Sequence, residues 1–545
     1  MTFLYPLLVV LLAVFAVAPL EYPGAFQSHT GLLAVYNLIN LDQDPLQSFN
    51  WAPTVGRTFD LFRTDGGLPY RVAELFHLVG FGYLDSIKLV YAFAWIASGL
   101  TMYALARRFF SEPGALLAAT VYVYLPYHLA TIYVRGAFAE SVAWALFPLA
   151  LWAVVSSQPP VASRKRFAFQ LLPFAFLFFT QPGLAILFTI VTLALVAAFR
   201  WRVGSLAHRG DLGHWVIGSL APALGGLALG MLLYTPSVLR YGFQAARDGF
   251  APNFVLPFQL FSSLWGYGPS TGSFPPQGLA VDQFPLQLGV VPLGLSIIAV
   301  ALAWQNKLPH PHTPTRTLAI ALAIAILLTL LTFEITAPLW SVLRVFVAYP
   351  WQLLAFVGVA LALAAGAAVE FDARLKAPAM LAVFVALPVI AVYGYLSPRW
   401  LDFTPTRPQI AIFGNNEIAL LDYRIVGPLR HGATIRVEMQ WQALRQVDHD
   451  YTVFVHAVNE DGKTYGSEDS KPQDGALPTI KWTPGQVVSD THTIQIDVDG
   501  PREDYLLEIG LYQSANGNRA ILDNGADYLM LPRPGDPEPY VPTRK

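Results

Sequence analysis

The stretch Tyr133-Val134-Arg135-Gly136-Ala137-Phe138-Ala139-Glu140 places an arginine and a glutamate between two long apolar runs, Ala115–Ile132 and Val142–Ser156. Each run approaches the length that a helix needs to cross a bilayer. A charge at a membrane boundary is costly unless it is solvated or paired, so this pair marks a candidate functional site. The alternative is a short polar turn whose two charges only neutralise each other.

The composition sets the broad class of the protein. Hydrophobic residues make up 54% of the chain and charged residues 13%, and the mean hydropathy is +0.46. A soluble protein carries roughly twice that share of charge, so we expect a polytopic α-helical membrane protein. The net charge of −2 gives no basic footprint for nucleic acid. The chain has no cysteine, which excludes disulfides, thiolate metal sites and cysteine nucleophiles.

Apolar runs of near-membrane length predict about eleven transmembrane helices. The first run has no basic start and no A-x-A cleavage site, so we expect it to be retained as a helix. The runs are Phe3–Leu20, Ile87–Ala106, Ala115–Ile132, Val142–Ser156, Phe167–Phe179, Leu184–Ala198, Trp215–Leu233, Leu286–Trp304, Leu318–Phe333, Trp351–Ala368 and Ala379–Leu396.

Positive charge predicts the orientation, because cytoplasmic loops are enriched in lysine and arginine. If the eleven spans are right, five basic loops fall on one side, which should be cytoplasmic. The N-terminus then lies inside, while loops 21–86 and 234–285 and everything after Leu396 lie outside. The basic loops carry Arg107-Arg108, Arg164-Lys165-Arg166, Arg200 with Arg202 and Arg209, Lys307 with Arg316, and Arg374 with Lys376.

The last part of the chain changes from apolar runs to alternation, which indicates short strands. Turn signals such as Asp461-Gly462 and Pro484-Gly485 separate the strands. We therefore predict a transmembrane domain over 1–396, a linker over 397–408 and an extracytoplasmic all-β sandwich over 409–545. The alternating runs are Thr434–Trp441, Tyr451–His456, His492–Val498 and Tyr505–Tyr512.

The first outer loop combines carboxylates with aromatic residues. This combination suits a site that binds sugars and activates a hydroxyl group. The alternative is a lid, because Gly31–Leu41 has apolar residues at helical spacing and could lie on the bilayer. Among the loop's acidic residues are Asp42, Asp60 and Asp65, and among its aromatic residues are Trp51 and Tyr70.

Two other motifs carry little weight. Gly268–Gly272 fits G-x-S-x-G, but the prolines and aromatics around it do not provide the strand–turn–helix frame that a nucleophile elbow needs. His310 and His312 have no further ligands nearby in the sequence, and a metal site needs three or four. The motifs therefore predict no metal site.

Several segments resemble a family of bacterial multi-spanning membrane proteins that is labelled pyruvoyl-tetrahydropterin-synthase-related, a branch of the C-type glycosyltransferase fold. The match runs over most of residues 22–370, and the tail resembles a β-domain commonly fused to such transferases. The segments include Tyr124–Leu129, Tyr133–Ala137 with Glu140 and Pro148, Trp51-Ala52-Pro53, Leu68-Pro69-Tyr70 with Glu74, Phe284–Gly289, Tyr349-Pro350-Trp351, Asp450–His456 and Trp482–Gly485.

The resemblance implies a transferase of the bacterial cytoplasmic membrane. It would move a sugar from a polyprenyl-phosphate donor to an extracytoplasmic acceptor, an envelope glycan or a surface protein. Arg135 would hold the lipid phosphate and Glu140 would orient it. An acidic residue in the first outer loop acts as general base, or positions a divalent metal or the lipid phosphate; no other cofactor is implied. The expected catalytic candidates are Asp60, Asp65 and Asp42, and the substrate-binding candidates are Arg135, Glu140, Tyr127, Trp51 and Tyr70.

The sequence departs from the family pattern after the first helix. Thr30 stands where the family has an aspartate, and threonine cannot act as a general base at neutral pH. Either an aspartate of the outer loop takes this role, or the chain is a non-catalytic structural subunit whose β-domain binds a glycan or a protein partner. A transporter is a weaker alternative, because the sequence has no evident pair of broken-helix repeats.

Overall fold

A computed structural model gives the architecture of the protein. It describes residues 3–43, 65–156, 164–201, 220–232, 234–235, 254–266, 284–305, 313–347, 349–400, 409–414, 417–459, 462–500, 502, 505–522 and 526–531. The chain forms two compact units. Residues 3–23 and the described residues of 65–398 belong to the first unit, and residues 24–43 and the described residues from 399 onward belong to the second.

The first unit is helical, as its apolar sequence predicts. Every one of the predicted apolar runs contains a helix in the described residues, so the polytopic α-helical class is confirmed. Its helices are α1 (Leu4–Val17), α3 (Leu68–Leu78), α4 (Tyr83–Ala106), α5 (Glu112–Val123), α6 (Pro126–Tyr133), α7 (Phe138–Val155), α8 (Arg164–Thr180), α9 (Pro182–Trp201), α10 (Leu220–Leu232), α11 (Val290–Gln305), α12 (Thr313–Leu331), α13 (Ala337–Leu343), α14 (Leu354–Phe371) and α15 (Pro378–Val392).

The helices differ in whether they are long enough to cross a membrane. Six segments of the described chain are long and apolar enough on their own, and α5 and α6 together make a seventh that bends by 42°. Pro126 is the first residue of α6, so the bend lies where proline cannot donate the next helical hydrogen bond. Helices α8 to α11 have shorter apolar stretches, so the exact number of spans stays a prediction.

Helix α14 lies at the centre of the first unit. Nearly all of its side chains are buried, and it packs against α5, α11 and α12. Close approach to α5 depends on two small residues, because a Cβ on Gly366 would lie 2.7 Å from the carbonyl oxygen of Gly114. Small residues at helix crossings let backbones pack tightly in a bilayer.

In its described residues, the second unit contains one α-helix and a sandwich of antiparallel strands. The strands form two four-stranded sheets, in the orders β1-β2-β3-β6 and β5-β4-β7-β8, which confirms the predicted all-β domain. The elements are α2 (Gly31–Gln43), β1 (Ala411–Phe413), β2 (Ile418–Val426), β3 (Thr434–Ala443), β4 (Tyr451–Val458), β5 (Thr464–Ser470), β6 (Val487–Gln495), β7 (Leu506–Gln513) and β8 (Leu529–Leu531).

The sandwich core contains three large aromatic residues of the β-domain. Trp441, Trp482 and Tyr451 are at most 2% exposed and belong to one apolar cluster. This burial agrees with the dominance of aromatics in sandwich interiors. These three rings are therefore core residues and are not available for stacking on a sugar.

Helix α2 is buried on nearly every side. Leu32, Val35 and Leu38 are at most 3% exposed, and so is Tyr36, whose hydroxyl hydrogen-bonds to Gln442 of β3. The alternative that Gly31–Leu41 lies on the bilayer as an amphipathic lid is therefore wrong. Residues 24–43 of the predicted first outer loop belong instead to the unit that holds the β-sandwich.

Candidate functional site

The turn between α6 and α7 presents the arginine and the glutamate of the opening stretch. Gly136 sits in it with a φ of +62°, a conformation that glycine adopts without steric cost. Its carbonyl oxygen accepts a hydrogen bond of 2.8 Å from the hydroxyl of Tyr91. The amide of Arg135 donates to the carbonyl of Ala130 at 2.8 Å. These bonds hold the turn rigidly against α4 and α6.

Arg135 and Glu140 form a two-pronged ion pair inside the first unit. Nη1 of Arg135 donates to Oε1 of Glu140 at 2.7 Å, and Nη2 donates to Oε2 at 2.7 Å. The arginine is 8% exposed and the glutamate 1%. Glu140 also lies in the first turn of α7, where the helix dipole favours a negative charge. The matched geometry compensates two buried charges that would otherwise be costly.

Aromatic and amide side chains surround the ion pair. The hydroxyl of Tyr127 accepts from Nη1 of Arg135 at 3.1 Å and lies 3.3 Å from Oε1 of Glu140. The guanidinium carbon of Arg135 lies 4.5 Å from the ring centre of Trp351, a cation–π distance. Nε2 of Gln352 lies 3.5 Å from Oε2 of Glu140. The guanidinium plane is thereby fixed from several sides.

Asp65 contributes a second carboxylate to the cluster of side chains around the ion pair. Its Oδ1 accepts from Nε2 of Gln181 at 2.6 Å, and its Oδ2 lies 3.4 Å from the hydroxyl of Tyr70. Burial raises the pKa of Asp65 to about 6, and the negative charge of Glu140 adds to the increase. The charge of Arg135 opposes it. Asp65 is therefore close enough to the ion pair to interact with both of its charges.

The backbone beside Asp65 is tied to the end of α8. The amide of Gly66 donates to the carbonyl of Thr180 at 2.9 Å. A Cβ at Gly66 would lie only 1.9 Å from the carbonyl oxygen of Phe179, so no other residue fits without moving the backbone. Glycine at this position allows the close approach that brings Asp65 to Gln181, just after α8.

Five of the predicted site residues come together in the first unit: Asp65, Tyr70, Arg135, Glu140 and Tyr127. Tyr70 also packs its ring edge-to-face on Phe138, with ring centres 5.0 Å apart. Asp42 is not in this group; it lies in α2 of the second unit. Asp60 and Trp51 lie outside the described residues.

Sequence reasoning missed the two glutamines and Trp351 as site residues. Gln181 stands between two apolar helices, in Thr180-Gln181-Pro182, and a polar residue at such a junction is a usable signal. Trp351 and Gln352 follow Pro350 in a short 3-10 turn just before α14. Their position in the sequence gives no hint that they contact a turn more than 200 residues earlier.

The described residues do not form a metal site. No three histidine, aspartate or glutamate side chains converge among them. Both oxygens of Glu140 accept from Arg135, and Asp65 is the second carboxylate of this cluster, with Gln181 and Tyr70 as its side-chain partners. A divalent ion usually needs several oxygen ligands, and the described cluster alone does not supply them.

Comparisons with known proteins give distant structural neighbours. No family model and no curated protein matches the chain. The apo oligosaccharyltransferase of Archaeoglobus fulgidus has 12% identity and a TM-score of 0.41, over 72% of this chain and 55% of that one. The same organism's oligosaccharyltransferase AglB, with an inhibitory peptide and a dolichol-phosphate, has 11% identity and a TM-score of 0.41, over 73% and 56%.

A bacterial neighbour was also found. ArnT from Cupriavidus metallidurans, bound to undecaprenyl phosphate, has 14% identity and a TM-score of 0.33, over 76% of this chain and 83% of that one. The present chain thus spans about half the length of the archaeal enzymes.

Proposed function

We propose that this membrane protein is a glycosyltransferase that moves a sugar from a polyprenyl-phosphate donor to an acceptor outside the cytoplasm. The observation that supports this most is that Asp65 lies close enough to the Arg135–Glu140 ion pair to be influenced by both of its charges, beside the ends of membrane-length helices. A lipid-linked sugar needs a cation for its phosphate, and the acceptor hydroxyl needs a base. Arg135 would supply the cation and Asp65 the base.

Arg135 is the group that would bind the lipid phosphate. Guanidinium groups match phosphate geometry and keep their charge at any physiological pH. Glu140 and Trp351 fix the guanidinium plane, so the arginine is already oriented when the donor arrives. Positive charge at this point stabilises the phosphate as it leaves with the bonding electrons.

Asp65 is the proposed general base. The acceptor hydroxyl oxygen attacks the anomeric carbon of the sugar, and its proton passes to the carboxylate of Asp65. The bond between that carbon and the phosphate oxygen breaks, and polyprenyl phosphate leaves. A carboxylate with a pKa of about 6 is mostly ionised at neutral pH and is a better proton acceptor than an ordinary aspartate. Asp65 would thus fill the role that Thr30 cannot.

The proposed orientation places the N-terminus in the cytoplasm and the β-sandwich outside. It rests on five loops with excess lysine and arginine that fall on one side of the predicted spans. With a bacterial source, the membrane would be the cytoplasmic membrane and the acceptor an envelope glycan or a surface protein. The β-sandwich would then be available to bind that glycan or a protein partner.

One observation favours a second candidate, a non-catalytic subunit with the same fold. The charge of Arg135 is already balanced by Glu140 in a buried pair, as in ion pairs whose role is only structural. In this case Arg135 would bind no phosphate, and loss of the ion pair would affect the stability of the protein alone.

A donor-binding experiment separates the two candidates. The purified protein in nanodiscs would be titrated with a panel of radiolabelled polyprenyl-phosphate sugars, beside Arg135→Ala and the control Asp85→Asn, an exposed carboxylate at the start of α4. We expect saturable binding and label transfer in the wild type and the control, and neither in Arg135→Ala. Arg135→Ala that folds and still binds the donor as the wild type does would contradict the proposal.

A further inference from the structure

An apolar groove of about 510 Å³ lies on the first unit, and its lining includes none of the residues around Arg135. Helices α1 and α15 form its two walls, and both pack against α5, which forms its floor. The rings of Phe15 and Tyr393 stack at 6.3 Å between centres and join the two walls at one end. The lining includes Leu8, Leu12, Leu116, Leu381, Val385 and Ile390.

The groove is polar at one end only. Tyr5 and Lys376 line it beside the first residues of α1 and α15. Because Phe15 and Tyr393 join the later ends of these two helices, their beginnings lie at the same membrane face. The side chain of Lys376 is 37% exposed and donates to Glu370 at 2.9 Å. A lysine ammonium has three N–H donors, so it can donate to a lipid headgroup as well.

The polar end lies far from the proposed catalytic pocket. Tyr133, two residues before Arg135, donates to the carbonyl of Ala16 near the end of α1, whereas Tyr5 is near its start. The two positions are separated by about 16 Å along the helix axis, since a helix rises about 1.5 Å per residue. A lipid whose phosphate is at Arg135 therefore cannot have the same phosphate at Lys376.

We propose that this groove binds one acyl chain of a membrane phospholipid whose anionic headgroup lies at Lys376. The wall from Pro378 to Ile390 is about 18 Å long at 1.5 Å per residue, close to the roughly 15 Å depth of one leaflet. The lining is apolar along this length, and the cation is placed where the phosphate of such a lipid would lie. Basic side chains at a membrane surface favour anionic lipids.

The test compares an anionic and a zwitterionic phospholipid on the full-length protein. Native mass spectrometry of the detergent-solubilised chain would follow binding of phosphatidylglycerol and phosphatidylcholine. The variant Ala386→Trp fills the groove. Leu387→Trp adds the same ring to the next residue of α15, which is 40% exposed and does not line the groove. Lys376→Gln removes the charge, and Lys376→Arg keeps it.

We expect one phosphatidylglycerol to bind the wild type about fivefold more tightly than phosphatidylcholine. This ratio is the gain in affinity expected from one basic side chain near an anionic headgroup. Ala386→Trp should lose this tight site, and Leu387→Trp and Lys376→Arg should keep it. Lys376→Gln should bind both lipids equally. If Ala386→Trp and Leu387→Trp bind alike, or Lys376→Gln keeps the preference, the proposal is wrong. Release of a dimer into monomers by Ala386→Trp would assign the groove to a second copy of the chain instead.

Discussion

Both oxygens of Glu140 accept hydrogen bonds of 2.7 Å from the guanidinium of Arg135, and Glu140 is only 1% exposed. The two residues lie five positions apart, on either side of the turn at Gly136. A bidentate pair of this kind orients the guanidinium as well as balancing its charge. The structural and the functional interpretations of the pair therefore predict different results when both charges are removed together.

Removing one partner should destabilise the protein strongly, and removing both should not. Glu140→Gln leaves the buried guanidinium without its counter-charge, so we expect a loss of about 3–5 kcal/mol in unfolding free energy. The double variant Arg135→Met with Glu140→Leu should recover most of that loss but have no sugar transfer. Thermal unfolding in detergent, with the exposed Arg374→Ala as an unchanged control, measures the first effect. A stable double variant with wild-type transfer would contradict the assignment of Arg135.

Gly66 should tolerate no side chain. The Cβ of Gly66→Ala would lie 1.9 Å from the carbonyl oxygen of Phe179, so the backbone must shift and carry Asp65 away from Gln181. A displacement of about 1 Å can lower a rate about 100-fold. We expect transfer to fall to that extent with donor binding retained. Gly294→Ala, in α11 with open space at its Cβ, is the matched control and should behave as the wild type. Equal activity in the two variants would show that Asp65 is not positioned by this contact.

Sugar transfer should depend on pH through Asp65. Burial raises the pKa of Asp65 to about 6, and Glu140 adds to this. A general base is active when ionised, so the rate should fall as the pH drops through about 6 and stay constant above pH 7. Single-turnover rates between pH 5 and 8 check this in the folded protein. A rate that is unchanged down to pH 5, or that rises on acidification, would exclude Asp65 as the base.

Cysteine labelling should reveal the orientation of the chain, because the natural sequence has no cysteine. Asn516 lies exposed in a turn of the β-sandwich, and Arg108 is exposed in a predicted cytoplasmic loop. In intact cells, a membrane-impermeant maleimide should label Asn516→Cys and leave Arg108→Cys unlabelled until the cells are opened. The reverse pattern would invert the proposed topology and place the acceptor in the cytoplasm.

The β-sandwich should lose stability at alkaline pH through His492. Its two ring nitrogens contact Glu468 and Asp490. Burial alone lowers the pKa of His492, but Asp490 and Glu468 outweigh burial and raise it overall. Because the pKa of His492 is higher in the folded protein than in the unfolded one, protonated His492 stabilises the fold. This contribution is fully present below the unfolded pKa of about 6.5 and is lost as the pH rises through the folded pKa.

Proteolysis of the β-domain in the full-length protein measures this effect. Cleavage should accelerate as the pH rises above neutrality in the wild type and in the control His456→Gln. The partner of His456, Asp469, is more exposed than the partners of His492. His492→Gln should cleave faster near neutrality and lose most of the pH dependence. A wild-type cleavage rate that is flat with pH, after correction for the protease, would refute the role of His492.

The fold could be predicted from the sequence wherever periodicity is strong. The apolar runs predict the helices because they are long and carry almost no charge, and the alternation in Thr434–Trp441 matches β3. Helix α2 was harder to place, because Gly31–Leu41 shows helical spacing but nothing in the sequence says that it is buried on nearly every side. The strands β1 and β8 have three residues each, too few for a periodic signal.

The site could be predicted only in part. Arg135, Glu140 and Tyr127 are neighbours in sequence, so the turn brings them together locally. Asp65 could be proposed as an outer-loop carboxylate, but its choice over Asp42 depends on tertiary packing. The Gly66 contact with Phe179 and the bond to Gln181 place it in the pocket, and neither is visible in a single sequence.

Sugar transfer by Asp65→Asn tests the central claim most directly. The purified variant and the wild type would be given saturating radiolabelled polyprenyl-phosphate sugar and an acceptor glycan or peptide in nanodiscs at pH 7.5. A general base contributes about 10²–10⁴-fold, so the variant should bind the donor normally and transfer at least about 100-fold more slowly. Transfer at the wild-type rate by Asp65→Asn would contradict the account. A wild type that binds no donor and transfers nothing would instead support the structural alternative.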